Sequence, residues 1–280
     1  MTESKIIPIE ESSITFPYLR KFNLIMGVLH AVQAIIMTIL GFTAFPDFSR
    51  PLTTFYLEGV GPGQGLDGSF FSPETAVAYT FSAVGVWVAG FLGMSAVAHL
   101  LIAGPFYDYY VNGLKNYINK IRWIEYAISS SFMIVFISLL FGIWGIWELF
   151  LIFMINASMN FFGYSQELVN DKTRMESGNI SWASYLFGWW AGIAPWVVSF
   201  AYFLDAAGGP VDARPPSFVY WILVTQLLLF QSFAFNMLLQ YLRIGPWRDY
   251  LFGERMYQIL SLVAKTILAW LVFGGLFQPE

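Results

Sequence analysis

One lysine governs the chemistry open to this chain. In "YQILSLVAKTILAWLVFGGLF", Tyr257 to Phe277, Lys265 interrupts a run otherwise apolar enough to cross a bilayer. A cation at the centre of such a helix costs about 2.5 to 3.5 kcal/mol even on a lenient insertion scale. Roughly ten residues, or about 15 Å of helix, separate it from either end, so a side chain of about 6 Å cannot readily carry the charge to a headgroup. An amine held away from water has another use, because it can condense with a carbonyl. Ser261 lies one helical turn earlier on the same face, within reach of that nitrogen. Its hydroxyl can equally bond its own helix backbone.

The nitrogen needs a partner, and intramembrane carboxylates are few. In "NKIRWIEYAISSSF", Glu125 follows Arg122 by three residues, so the two share a helix face. Two readings stand: a local Arg122–Glu125 pair near the interface, or Glu125 opposite Lys265. Their depths differ by roughly 10 Å, and the lean of side chains toward a helix N-terminus recovers much of that gap. His30 and His99 are deep in the first two apolar runs, with Ser95 one turn from His99. Each is either a satisfied structural residue or, with Asn119, part of a hydrated polar cluster. Two histidines with no nearby carboxylate make a poor metal set. Glu148 and Glu167 sit near opposite ends of the fourth run, Glu167 close in depth to the polar cluster. Trp189, Trp190, Trp196, Phe230, Phe233 and Phe235 read either as interfacial belts or as a rigid apolar slot. No second acid/base constellation accompanies Lys265, so an enzyme is not expected.

The elements that position these residues are membrane helices. The chain is 57% hydrophobic and only 11% charged, where soluble domains carry about a quarter charged residues. Seven spans are long enough to cross: 18–45, 75–104, 118–141, 146–168, 181–204, 216–242 and 252–276. The fold class is therefore an all-α integral membrane protein, one domain over residues 1–280. Lys5, Arg20, Lys21, Lys115, Lys120, Arg122, Lys172, Arg174, Arg243, Arg248 and Arg255 fall on the side of the N-terminus, against Arg50 and Arg214 opposite. That bias predicts a cytoplasmic N-terminus and an extracellular C-terminus. The long connection 46–73 contains "FYLEGVGPGQGLDGSFF", two β-prone aromatic segments about a Gly-rich turn, read as an extracellular hairpin or a mobile loop. An exposed aromatic edge of this kind can pair with a second protomer. The net charge of −4 and the absence of a basic stripe give no sign of nucleic acid, and the absence of cysteine excludes disulfides and thiolate chemistry.

Seven helices, a mid-membrane lysine in the last and a carboxylate in the third fit a retinal Schiff base. The chain resembles the microbial rhodopsins, and among them the heliorhodopsins, through "RWIEY", "SLVAK" and the inverted topology. The resemblance implies retinal, all-trans in the dark, on Lys265, with Glu125 as counterion and Ser261 bonded near the Schiff base. It places Phe230, Trp196, Asn156, Met159 and Tyr126 along the chromophore, and His30, Ser95, His99, Asn119 and Glu167 in a cytoplasmic polar cavity. It also implies a homodimer joined through the first extracellular loop. Pumping rhodopsins carry Asp four residues before the lysine, where this chain has Ser261. Their donor acid, eleven residues after the counterion, is Phe136 here. A light sensor is therefore favoured over a pump. The rivals are a light-gated or passive proton conductor and a non-retinal transporter using the Lys265/Glu125 charge pair.

Overall fold

The computed structural model describes residues 6–210 and 214–277; Lys5, counted in the charge bias, lies outside them. Helices α1 (Phe16–Ala44), α2 (Val84–Ala103), α4 (Lys120–Leu140), α5 (Ile146–Val169), α7 (Ala183–Ala207), α8 (Ser217–Tyr241) and α9 (Tyr250–Leu276) are long and apolar enough to span a membrane. Short helices α3 (Tyr107–Leu114) and α6 (Lys172–Ser177) lie in connections. One end of the bundle, the N-terminal face, gathers residues 6–15 and the connections 104–119, 170–182 and 242–249. Several helix starts there are capped as their sequences suggest: Thr15 accepts from Tyr18 N, Asn119 from Arg122 N and Asp249 from Leu251 N.

The opposite end carries an antiparallel hairpin of β1 (Ser49–Gly59) and β2 (Phe71–Ser82), with Ser49 opposite Ser82 and Gly59 opposite Phe71. This corrects the second span, which was expected from residue 75 and starts at Val84. The stretch "TAVAYTFS" is apolar enough for a helix, but Thr75, Val77, Tyr79 and Phe81 alternate along it, and its backbone is satisfied by β1. Ala83, at φ 54°, makes the turn from strand into α2. Thr53 N donates to the Trp144 carbonyl (2.8 Å) and Trp147 Nε1 to Thr54 Oγ1 (2.9 Å), tying the hairpin to the α4–α5 turn.

Two packings shape the interior. Gly41 on α1 meets Gly85 on α2 so closely that a Cβ on either would strike the other's backbone. Between α7 and α8 the reverse holds, because large rings interpose. Trp182–Tyr241, Trp189–Phe235, Trp196–Phe230 and Phe203–Tyr220 meet with centroids 6.1, 6.1, 5.4 and 4.8 Å apart. The four α7-side members recur every seven residues, which keeps them on one helix face. Pro195, inside α7, removes the N–H that would reach the Ala191 carbonyl, just before Trp196.

Candidate functional site

On α9, residues 254, 258, 261 and 265 recur at spacings of four, three and four, which is one face of a helix. All four are polar and buried: Glu254, Gln258, Ser261 and Lys265. At the deep end of this stripe, Lys265 Nζ donates to Ser261 Oγ (2.9 Å) and to Glu125 Oε1 (3.3 Å). Lys265 is 3% exposed, so its charge is matched inside the protein. From α2, Ser95 Oγ donates to the same Glu125 oxygen at 2.5 Å. The Tyr126 ring lies 5.3 Å from Nζ, and its hydroxyl donates to the Tyr257 carbonyl (2.8 Å), locking α4 to α9. Three helices thus fix one amine, one carboxylate and two hydroxyls.

A largely apolar cavity runs from Lys265 between α4, α5, α7 and α8. Tyr126, Met159, Trp196 and Phe230 line it, as do Phe233 and Trp189. Gly188 and Gly192 give α7 a low surface there, and a Cβ at Gly192 would strike the Met159 sulfur. Asn156 is not in the wall. Its amide donates to Ser130 Oγ (2.8 Å) and Ser131 Oγ (3.0 Å), bracing α4 against α5 behind the lining residue Ser130.

The expected polar cluster divides into two sets. Beside Glu125, the His30 and His99 rings stack at 5.6 Å, and His99 Nδ1 lies 2.8 Å from Asn23 Oδ1. Asn119 and Glu167 belong to the other set, nearer the N-terminal face. There Arg122 does not pair with Glu125 but bridges Glu167 on α5 and Glu254 on α9, so the local Arg122–Glu125 reading is corrected. Rotation accounts for this: Arg122 points between α5 and α9 while Glu125, most of a turn later, faces α2 and Lys265. Glu167 also accepts from Asn119 N (2.8 Å) and Trp123 Nε1 (2.7 Å), and Glu254 from Asn119 Nδ2 (2.7 Å). Tyr110 belongs to this second set, its hydroxyl donating to Glu254 Oε1 (3.3 Å) and accepting from Gln258 Nε2 (3.3 Å). Glu254, Asn23 and Tyr110 were not singled out from sequence, although the polar stripe on α9 was a usable signal for Glu254. Glu148 stands at the start of α5, near the hairpin end.

This bundle, with an amine at the end of an aromatic slot, is matched over residues 19–277 by a family model described as heliorhodopsin. The chain belongs to the heliorhodopsin family. Heliorhodopsins are retinal-binding microbial rhodopsins, so the protein is a multi-pass membrane protein that takes retinal as its chromophore. The residues present fit that ligand: a heliorhodopsin needs a primary amine in an elongated apolar slot, and Lys265 and the ring-lined cavity supply both. No curated protein matches the chain.

Proposed function

We propose that the protein is a light sensor that signals without pumping ions. Retinal, when bound, supplies a polyene that changes shape on absorbing light and an aldehyde carbon for the Lys265 amine. Glu125 is the counterion that holds a proton at Lys265 Nζ, and the hydroxyls of Ser261 and Ser95 orient the pair. Trp196, Phe230 and Met159 restrict the slot to a flat ligand, all-trans in the dark. When the geometry at Nζ alters, the proton shifts relative to Glu125, and the helices respond by exchanging one packed arrangement for another.

The observation that carries the sensing role is the one-sided distribution of buried ionisable groups. Among the described residues, Arg122, Glu125, Glu167, Glu254 and His99 lie level with Lys265 or toward the N-terminal face. Toward the hairpin, α4 continues as Phe132, Met133, Val135, Phe136 and Ile137, none of which ionises. Transport needs groups on both sides of the nitrogen. The basic-residue bias favours the N-terminal face as cytoplasmic. The exposed Phe55, Leu57, Phe71 and Tyr79 of the hairpin favour a homodimer through that element. The role is one of sensing, not of enzymatic turnover.

The test is to add all-trans retinal to the expressed protein, then record pH and current under illumination. A visible band that hydroxylamine removes, absent in Lys265→Ala, with no steady photocurrent, is expected. A sustained photocurrent would overturn the sensing role, and no visible band would overturn the site.

A further inference from the structure

The segment before α1 is seated on the start of the helix that carries Lys265. Ile7 N donates to the Arg248 carbonyl at 2.9 Å, and Ile7 bridges Asp249 in parallel fashion. Ser12 Oγ donates to Asp249 Oδ2 at 2.6 Å, while Asp249 Oδ1 accepts from Leu251 N at 2.9 Å. One buried carboxylate therefore caps α9 and anchors the N-terminal segment at once. Ile9 and Ile14 are buried in the apolar cluster that also holds Tyr117, Tyr250 and Leu251. Ser12 is itself fixed, since its Oγ accepts from Ile14 N (3.0 Å).

From these contacts we infer that residues 6–15 form a latch on α9, closed in the dark and released when Lys265 moves. The inference rests on the retinal reading and adds how that site is coupled to the N-terminal face. Lys265 stands roughly 24 Å along α9 from Asp249. No proline interrupts α9, so a tilt or shift at the anchor reaches the cap as rigid-body motion. Glu254, between them, is held by Arg122, so α9 moves against α4 and α5 only by loosening that pairing. Asp249 lies beyond this pivot, and a hydrogen bond at 2.6 Å tolerates little displacement before it breaks. The latch contributes to the dark arrangement, and its re-formation forms part of the return.

The chain has no cysteine, so two labels can be placed without background. Ser13 and Ile244 are exposed on the segment and on the α8–α9 connection. Spin labels on Ser13→Cys and Ile244→Cys in the full, retinal-loaded protein are expected to separate on illumination and return in the dark. Ser12→Ala is expected to keep the dark visible band and to slow thermal recovery by about threefold or more, with Ser12→Thr restoring it. An unchanged label separation, or recovery in Ser12→Ala equal to that of the parent, overturns the latch while leaving the retinal site standing. A parent protein that forms no visible band overturns the site and the latch together.

Discussion

The Arg122 cluster makes a graded prediction about stability. One guanidinium sits between two buried carboxylates, so the three formal charges sum to −1 inside the bundle. Removing the cation in Arg122→Met leaves both carboxylates without their counter-charge, and breaking a buried pair in this way costs about 3 to 5 kcal/mol. Removing one anion leaves Arg122 still paired and the cluster neutral, so the cost falls to that of disturbed hydrogen bonds. Glu254 accepts at Oε1 from both the Asn119 amide (2.7 Å) and the Tyr110 hydroxyl (3.3 Å) and at Oε2 from Arg122, so a new NH2 meets either the Asn119 amide or Arg122. Glu254→Gln should therefore cost about 1 to 3 kcal/mol. Glu167 accepts at Oε2 from a backbone N–H and an indole N–H, neither of which can turn, and at Oε1 from Arg122 and the Tyr250 hydroxyl (3.5 Å). Glu167→Gln, placing an NH2 near one of them or near Arg122, should cost about 2 to 3 kcal/mol. Glu167→Gln with Glu254→Gln should exceed the sum of the singles, because only then is Arg122 unpaired. Thermal loss of the visible band in detergent, measured across these variants, gives the order. Equal effects of all three singles, or an additive double, would refute the charge-balance reasoning.

Other outcomes follow from single contacts. Glu125→Gln removes the carboxylate that faces Lys265 Nζ at 3.3 Å, and its visible band should shift, with a weaker hold on the proton in a spectral titration. An unchanged spectrum and titration would remove Glu125 as counterion. Gly163→Ala would drive a Cβ into the Trp123 ring, which is also held by Glu167, and should destabilise the protein by about 1 to 3 kcal/mol in thermal melts. The Tyr117 phenol, outside the spans, is pushed up from 10.0 to about 12, chiefly by burial and then by Glu176 and Glu10. Because its folded value is the higher one, its contribution is complete below pH 10 and is lost as pH rises through 12. The parent should lose stability across that window more steeply than Tyr117→Phe, as read from melting temperature against pH.

The seven spans were legible because apolar runs of that length have few other uses, and Lys265 stood out because a charge there is expensive. The hairpin was half legible: Gly-rich turn chemistry announces it, but its second strand is as apolar as a helix, and only alternation separates the two. Glu254 was hidden by its position five residues into α9, where solvation at a helix end is an ordinary explanation for a carboxylate. Its partner Arg122 was misread for a related reason. Spacing on one helix shows which residues share a face, but not which neighbouring helix that face meets. Asn156 lies one layer behind the cavity, a distinction that sequence proximity does not encode.

The ring pairs between α7 and α8 act as a gauge. Backbones that met directly, as at Gly41 and Gly85, would leave no slot, and an open gap would admit lipid tails of any shape. Rings set at intervals of seven, from Trp182 to Phe203, hold the two helices apart, and Trp189, Trp196 and Phe230 among them line the cavity. A conjugated chain is thin in cross-section and would lie flat against such rings, while a saturated one of similar length is thicker and would fit them less well. A ligand against Trp189, Trp196 and Phe230 would touch both helices at once, so the occupant would serve as masonry as well as pigment.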